Sequence, residues 1–188
     1  KAWPSGCFPE VLKSAEARQG HAAVHRDGLA DHVVAGPAGQ IDRRGGHVFV
    51  ATDAPGTGRL SVVSIDTQAS GSLAADLMGR LVQGQGTVGV TLFDAAITEH
   101  AEKFNAFKST MASLYPAIRV HDPIEDHDLD ETAYEQCRKL ISESPDLVGI
   151  YVTTENSTPV INAVRDAGLV GKLTIVTTDL FPTLVKEI

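Results

Sequence analysis

The stretch PDLVGIYVTTENSTPVINAVRDAGLVGKLTIVTTD, Pro145 to Asp179, decides the fold. Leu147 to Thr154 is a continuous apolar, β-branched run. Val160, Ile161, Val164 and Ala167 then recur at helical spacing up to Gly168, and Leu173 to Thr178 is a second β-branched run. A strand, a helix and a strand in this order form a parallel βαβ unit. Because the runs are continuous rather than alternating, both faces of the sheet are expected to be covered by helices.

Working outward, the same alternation extends over most of the chain. Further strands are predicted at His47 to Thr52, Leu60 to Ile65, Thr87 to Phe93 and Ile118 to Val120. Between them, Leu73, Ala74, Leu77, Met78, Leu81 and Val82 form one helical stripe that stops at Gly84. Ala101, Phe104, Phe107, Met111 and Leu114 form a second, closed by Pro116, and Ala133, Cys137, Leu140 and Ile141 a third, closed by Pro145. Right-handed crossovers assemble such units into a doubly wound α/β sheet whose ligands sit outside the carboxyl ends of the strands. The first 46 residues differ: they are rich in Gly, Pro, Ala and His, and only Phe8 to Ala17 carries a helical stripe.

Composition narrows the function. The 188 residues carry 16 Lys and Arg against 24 Asp and Glu, a formal net charge of −8. An acidic balance disfavours a surface that grips nucleic acid, which needs clustered cations to release counterions. No run of 18 apolar residues and no secretory leader is visible, so a cytoplasmic chain, or one whose leader has been removed, is expected. Cys7 and Cys137 match neither a disulfide framework nor a zinc spacing and read as reduced thiols.

Several apparent motifs dissolve on their context. GQGTVG, with Gly84, Gly86 and Gly89, fits the dinucleotide fingerprint. It follows a helix and opens a strand, the reverse of what a pyrophosphate cradle requires, so it reads as a turn. EDHDLDE (Glu125 to Glu131) places Asp126, Asp128 and Asp130 like a calcium loop, but Glu131 stands where Gly is needed and Cys137 where Glu is needed. It reads as a solvated loop in which Asp128 or Asp130 caps the following helix. His21, His25, His32, His47, His100, His121 and His127 form no His-Glu-x-x-His pair and accompany no nucleophile elbow, so surface or capping roles are expected. No catalytic residue, metal or cofactor is assigned.

What remains is a set of polar loops at the carboxyl ends of predicted strands. Asp53 follows HVFVAT, Asp94 follows TVGVTLF, Glu155 and Asn156 follow LVGIYVTT, and Asp179 follows LTIVTT. Each alone reads as a turn or helix cap. Together they suit a polyol, whose hydroxyls both donate and accept and need fixed carboxylate or amide partners. Phe93 and Phe181 are placed to stack on the apolar face of a sugar ring.

In order and spacing, these segments resemble the effector-binding core of lac-repressor-type transcription regulators. That core is a type I periplasmic-binding-protein fold shared with the sugar-binding proteins of ABC transporters. RDGLA (Arg26 to Ala30) is similar to the family's Val-Asp-Gly-Leu-Ile strand and HVFVATD to its Pro-Val-Val-x-x-Asp strand. Val62 to Val90 resembles its Val-x-x-Asp-Asn-x-x-x-Gly helix and next strand, and Pro145 to Asp179 its closing βαβ unit. The resemblance implies two Rossmann-like lobes with parallel sheets around a ligand cleft, here incomplete at both ends. Residues 1–65 would form a partial N-terminal lobe and 66–188 a nearly complete C-terminal lobe. It implies Asp53 as the first-lobe contact, with Asp94, Glu155, Asn156 and Asp179 lining the second-lobe face. Lys103, in EKFNAF, stands where the family carries a sugar-gripping Arg, and Glu155 and Asn156 replace its usual Asn-Asp pair. A lysine offers a point charge rather than a planar fork, so a ligand other than a common hexose is expected. Missing elements would leave apolar surface exposed, with weak stability or association as the result.

The resemblance thus implies a small-molecule effector, sugar or polyol, sensed by a homodimeric cytoplasmic regulator that meets DNA only through a head domain outside this chain. The alternative is a periplasmic solute-binding protein of a sugar ABC transporter. A small α/β hydrolase is the third class, and no motif supplies its nucleophile and base.

Overall fold

Hydrophobic runs too short to stand alone become strands only where the chain returns to pair them. The computed structural model describes residues 48–50, 61–182 and 184–186, all within one compact unit, Gly46–Ile188. β1 (Val48–Val50) and β2 (Ser61–Val63) pair in parallel as a two-stranded sheet. α1 (Thr67–Leu81) follows, its first turn capped by the Asp66 carboxylate, which accepts from Ala69 N–H at 2.8 Å. Then come β3 (Gly86–Leu92), α2 (Thr98–Leu114), β4 (Ile118–Val120), β5 (Ile124–Glu125), α3 (Asp130–Glu143), β6 (Leu147–Val152), α4 (Ser157–Asp166) and β7 (Thr174–Thr177). A short 3₁₀ turn covers Leu184–Lys186.

β4, β3, β6 and β7 form a parallel sheet in that order, and β5 continues the β4 edge against the end of β3. The sequence does not announce β5, whose two residues are too few to show a period. Residues of β3 and β6 alternate between two cores. On one side Val88, Val90 and Tyr151 meet Ala74, Ala75 and Met78 of α1 and Phe107 and Met111 of α2. The Phe107 and Tyr151 rings stack there with centroids 5.0 Å apart. On the other side Ile150 and Val152 meet Cys137 and Leu140 of α3 and Val160, Ala163 and Val164 of α4. Side chains of this size contribute about 1.5–3 kcal/mol each on full burial, so the two clusters account for a helix layer on each face.

One expectation about α1 fails. Leu73, Leu77 and Leu81 belong to the predicted core stripe, yet they are 70%, 46% and 53% exposed, while Ala74, Ala75 and Met78 carry the contact. The cause is backbone proximity. A Cβ on Gly71 would lie 2.2 Å from the Lys103 carbonyl oxygen, so α1 meets α2 through its small residues and its leucines are turned outward.

The GQG segment is the helix-to-strand turn that its context predicts. Gly84 and Gly86 have φ of 75° and 107°, conformations that side chains resist. At the same amino end of the sheet, the Thr87 hydroxyl donates to Asp146 at 2.7 Å, and Arg119 donates to Thr87 Oγ1 at 3.0 and 3.1 Å. That hydrogen bond from Thr87 is the main cause holding the Asp146 carboxyl below its ordinary range. Polar groups at this end are thus spent on one another, and the other end of the sheet is where they remain available.

Candidate functional site

The carboxyl ends of the parallel strands bring the polar loops to one edge of the lobe. Phe93 and Asp94 follow β3, Thr153 to Asn156 follow β6, and Thr178 to Phe181 follow β7 on the far side of β6 from β3. The first turns of α2 and α4 begin at the same end. Glu99, His100 and Lys103 therefore rise beside β3, and Ser157 opens α4 directly after Asn156.

The loop after β3 is tightly tied. Asp94 Oδ1 accepts from Ala96 N–H at 2.7 Å, and Glu125 at the end of β5 accepts from Ala95 N–H at 3.0 Å. The Phe93 ring is half-buried between two imidazoles. His100 lies at 6.2 Å with the rings tilted by 33°, and His127 stands edge-on at 5.7 Å. His100 Nδ1 and the Thr153 hydroxyl are 3.3 Å apart, which links α2 to the loop after β6. Burial is the main cause holding the His100 imidazole below its usual range. The expectation of surface or capping histidines is therefore corrected for His100, which is partly buried in side-chain contact. It went unnoticed because nothing in the linear spacing reveals that α2 and the β6 loop meet.

Lys103 is only 4% exposed, and its Nζ donates to Glu99 Oε1 at 2.7 Å, one helical turn earlier. Asn156 is the N-cap residue of α4 but makes no side-chain capping bond; it is buried with Nδ2 unpaired, as is Ser157 Oγ. The helix-cap reading of Asn156 is thereby set aside. Glu155 is exposed and faces Asp128; burial first and this carboxylate second push the Asp128 carboxyl above its usual range. Asp179 is exposed, its carbonyl accepting from the Thr177 hydroxyl at 3.3 Å, and Phe181 is half-buried. Asp53 lies outside the described residues, as do Cys7 and the segment Arg26 to Ala30.

The EDHDLDE segment also departs from its reading. α3 begins at Asp130 behind Leu129, and no side chain makes a capping bond there. Asp126 is fully buried rather than solvated. Its Oδ1 accepts from Asp128 N–H at 3.0 Å, and its Oδ2 has no partner. Burial pushes this carboxyl up to about 6. The signal was hidden because β5 is too short to be read, so Asp126 could not be placed at a strand end.

Among the described residues no group of three His, Cys, Asp or Glu side chains is arranged to hold a metal ion, and no helix is long and apolar enough to cross a membrane. A family model described as a periplasmic binding protein domain matches residues 40–188. No curated protein sequence matches the chain. Among solved structures, the chain is similar to the sugar-binding protein of a sugar ABC transporter from Bacillus halodurans. They share 27% identity with a TM-score of 0.68 over 74% of this chain and 49% of that one. It is also similar to an ABC transporter solute-binding protein from Agrobacterium vitis with bound D-fucose, at 21% identity and a TM-score of 0.70 over 74% of this chain and 49% of that one. A solute-binding protein from Burkholderia graminis in complex with D-arabinose matches at 22% identity and a TM-score of 0.68, over 73% of this chain and 48% of that one. The chain spans about half the length of these structures.

Proposed function

This chain belongs to the periplasmic binding protein domain family and has its type I α/β fold, and from that premise we propose that its carboxyl-end face is one wall of a cleft for a small polyol or sugar. The observation that carries this reading is the convergence of a half-buried aromatic ring, Phe93, with buried and unpaired polar groups at the ends of β3 and β6, chiefly Asn156 Nδ2. An apolar ring face beside fixed donors and acceptors matches the two-sided chemistry of a sugar.

In this reading residues 66–188 are the second lobe, and residues 1–65 belong to the first, with Asp53 as its contact. Phe93 and Phe181 stack on the ligand, and Asp94, Glu155, Asn156 and Asp179 bind its hydroxyls. Lys103 contributes a charge already balanced by Glu99, which favours an uncharged ligand. No side chain is assigned a catalytic step. This chain is part of the effector-sensing core of a lac-repressor-type regulator, cytoplasmic and homodimeric, which meets DNA through a head domain outside this chain. Ligand acts by its differential affinity for two lobe arrangements. The order of segments fits this assignment and the transporter alternative alike, since both share the fold. A second reading, a periplasmic solute-binding protein of a sugar ABC transporter, is favoured by the descriptions of the similar structures. A helix-turn-helix encoded upstream would select the first, and a signal peptide the second.

The ligand assignment is tested by thermal unfolding of the intact gene product with a panel of aldoses that includes D-fucose and D-arabinose. A sugar at a hundredfold excess over its dissociation constant stabilises by about 2.7 kcal/mol, and Asp179→Ala is expected to abolish that shift. An unchanged shift in the variant would refute the role of Asp179.

A further inference from the structure

The turn of α2 at the ligand edge is held from two sides, and one hold starts where the chain enters this lobe. β2 ends at Val63, and Ser64 to Asp66 lead straight into α1. The Asp66 carbonyl accepts from Ser70 N–H at 2.9 Å and its carboxylate caps the same turn, so Thr67, the first residue of the helix, has a fixed place. Thr67 is only 7% exposed. A hydroxyl so buried needs a partner, and it finds one across the helix interface: Thr67 Oγ1 donates to the Glu102 carboxylate of α2. A charged acceptor makes this one of the stronger kinds of hydrogen bond.

One turn further along α1, Gly71 lies against the Lys103 carbonyl, and a Cβ there would also crowd Ala106. Two residues of α1 thus meet successive residues of α2, Glu102 through its side chain and Lys103 through its backbone. They do different things. The glycine sets how near the helices come, but it offers no directional contact and leaves the rotation of α2 open. A hydrogen bond has a preferred length and direction, so the Thr67 hydroxyl fixes what the glycine does not. From the same turn of α2, Lys103 Nζ donates to Glu99 at 2.7 Å, and His100 meets the Thr153 hydroxyl at 3.3 Å with its ring 6.2 Å from that of Phe93. Residues 99 to 103 span little more than one helical turn, so a restraint on Glu102 is a restraint on Glu99, His100 and Lys103 together.

We propose that Thr67 is a positioning residue of the ligand face: through Glu102 it sets the rotation of the α2 turn that carries Glu99, His100 and Lys103, and it ties that face to the segment by which the chain leaves β2. Thr67 itself touches no ligand. The consequence for sugar binding rests on the polyol reading of this face, whereas the hold on α2 does not.

The experiment compares Thr67→Val, which keeps the branched shape and removes the hydroxyl, with Thr67→Ser, which keeps the hydroxyl. NMR signals of the Lys103 ammonium and the His100 imidazole in the intact gene product read the position of the turn. Thr67→Val is expected to shift both, and Thr67→Ser to leave both near the parent. Unmoved signals in Thr67→Val, or equal shifts in the two variants, would overturn the proposal, because a hydroxyl that serves stability alone lowers the Tm without moving them. If Thr67→Val folds poorly, Glu102→Ala removes the same bond from the half-buried side and is held to the same outcome: both signals shift, or the proposal falls. Calorimetric titration with D-fucose and D-arabinose gives the ligand arm. Binding weakened about threefold or more in Thr67→Val, with parent-like binding in Thr67→Ser, supports it, and equal binding in all three proteins overturns it. A parent that binds neither sugar counts against the polyol reading, while the two NMR signals still decide the hold on α2.

Discussion

Replacing Gly71 by alanine sets two opposed effects against each other, and only the tertiary contact decides which wins. In a helix without neighbours the change stabilises by about 1 kcal/mol, because alanine loses less backbone freedom than glycine. In this protein the new Cβ would lie 2.2 Å from the Lys103 carbonyl oxygen, 3.0 Å from its carbon and 3.1 Å from Ala106 Cβ. Ordinary contact begins at 3.4 Å, so α1 and α2 must part by roughly 1 Å, and the nearest obstacle is backbone, which cannot rotate away. Overpacking of this kind costs about 1–3 kcal/mol, and a rigid obstacle places it at the upper end. Against the gain in propensity, a net loss of about 2 kcal/mol is expected. For a chain of this size that corresponds to a fall of about 4–8 °C in Tm. Urea unfolding with an unchanged m-value would isolate the stability term. A variant as stable as the parent, or more stable, would refute the claim that close approach at Gly71 sets the packing of α1.

Asp126→Asn gives a pH signature with a defined sign. The folded carboxyl is raised from 3.8 to about 6, so the native state holds the proton more tightly. Its penalty is absent below pH 3.8, grows as pH rises and is complete above 6. At about 1.4 kcal/mol per unit, the stability of the variant relative to the parent should improve by up to about 3 kcal/mol between pH 4 and pH 7; a pH-independent difference would contradict the burial. Cys137 is buried with its thiol pushed up to about 12. Alkylation of its peptide, followed by mass spectrometry, should proceed at the rate of unfolding and not of open thiols. Leu77→Lys, on the outward stripe of α1, should change stability by no more than about 0.5 kcal/mol. A loss above about 2 kcal/mol, comparable to removal of a core leucine, would mean that another surface covers that stripe.

Much of this protein was determined by its sequence alone, for physical reasons that are local. Continuous β-branched runs between helical stripes specify a parallel sheet with two covered faces, since only such a sheet needs apolar residues on both sides of every strand. The helix stops at Gly84, before Pro116 and before Pro145 match the ends of α1, α2 and α3. The loops carrying Asp94, Glu155, Asn156 and Asp179 reach one edge because every strand runs the same way. Distance in space was beyond the sequence. Leu73 and Leu77 read as core because amphipathic spacing gives a face but not its partner, and Gly71 turned that face away. Asp126 and His100 read as surface because their contacts, to Asp128 and Thr153, depend on a two-residue strand and on the meeting of α2 with a loop 53 positions away. Periodicity is a property of neighbours along the chain, whereas burial of a charge and the approach of two backbones are properties of the packed lobe, and only the tertiary structure decides them.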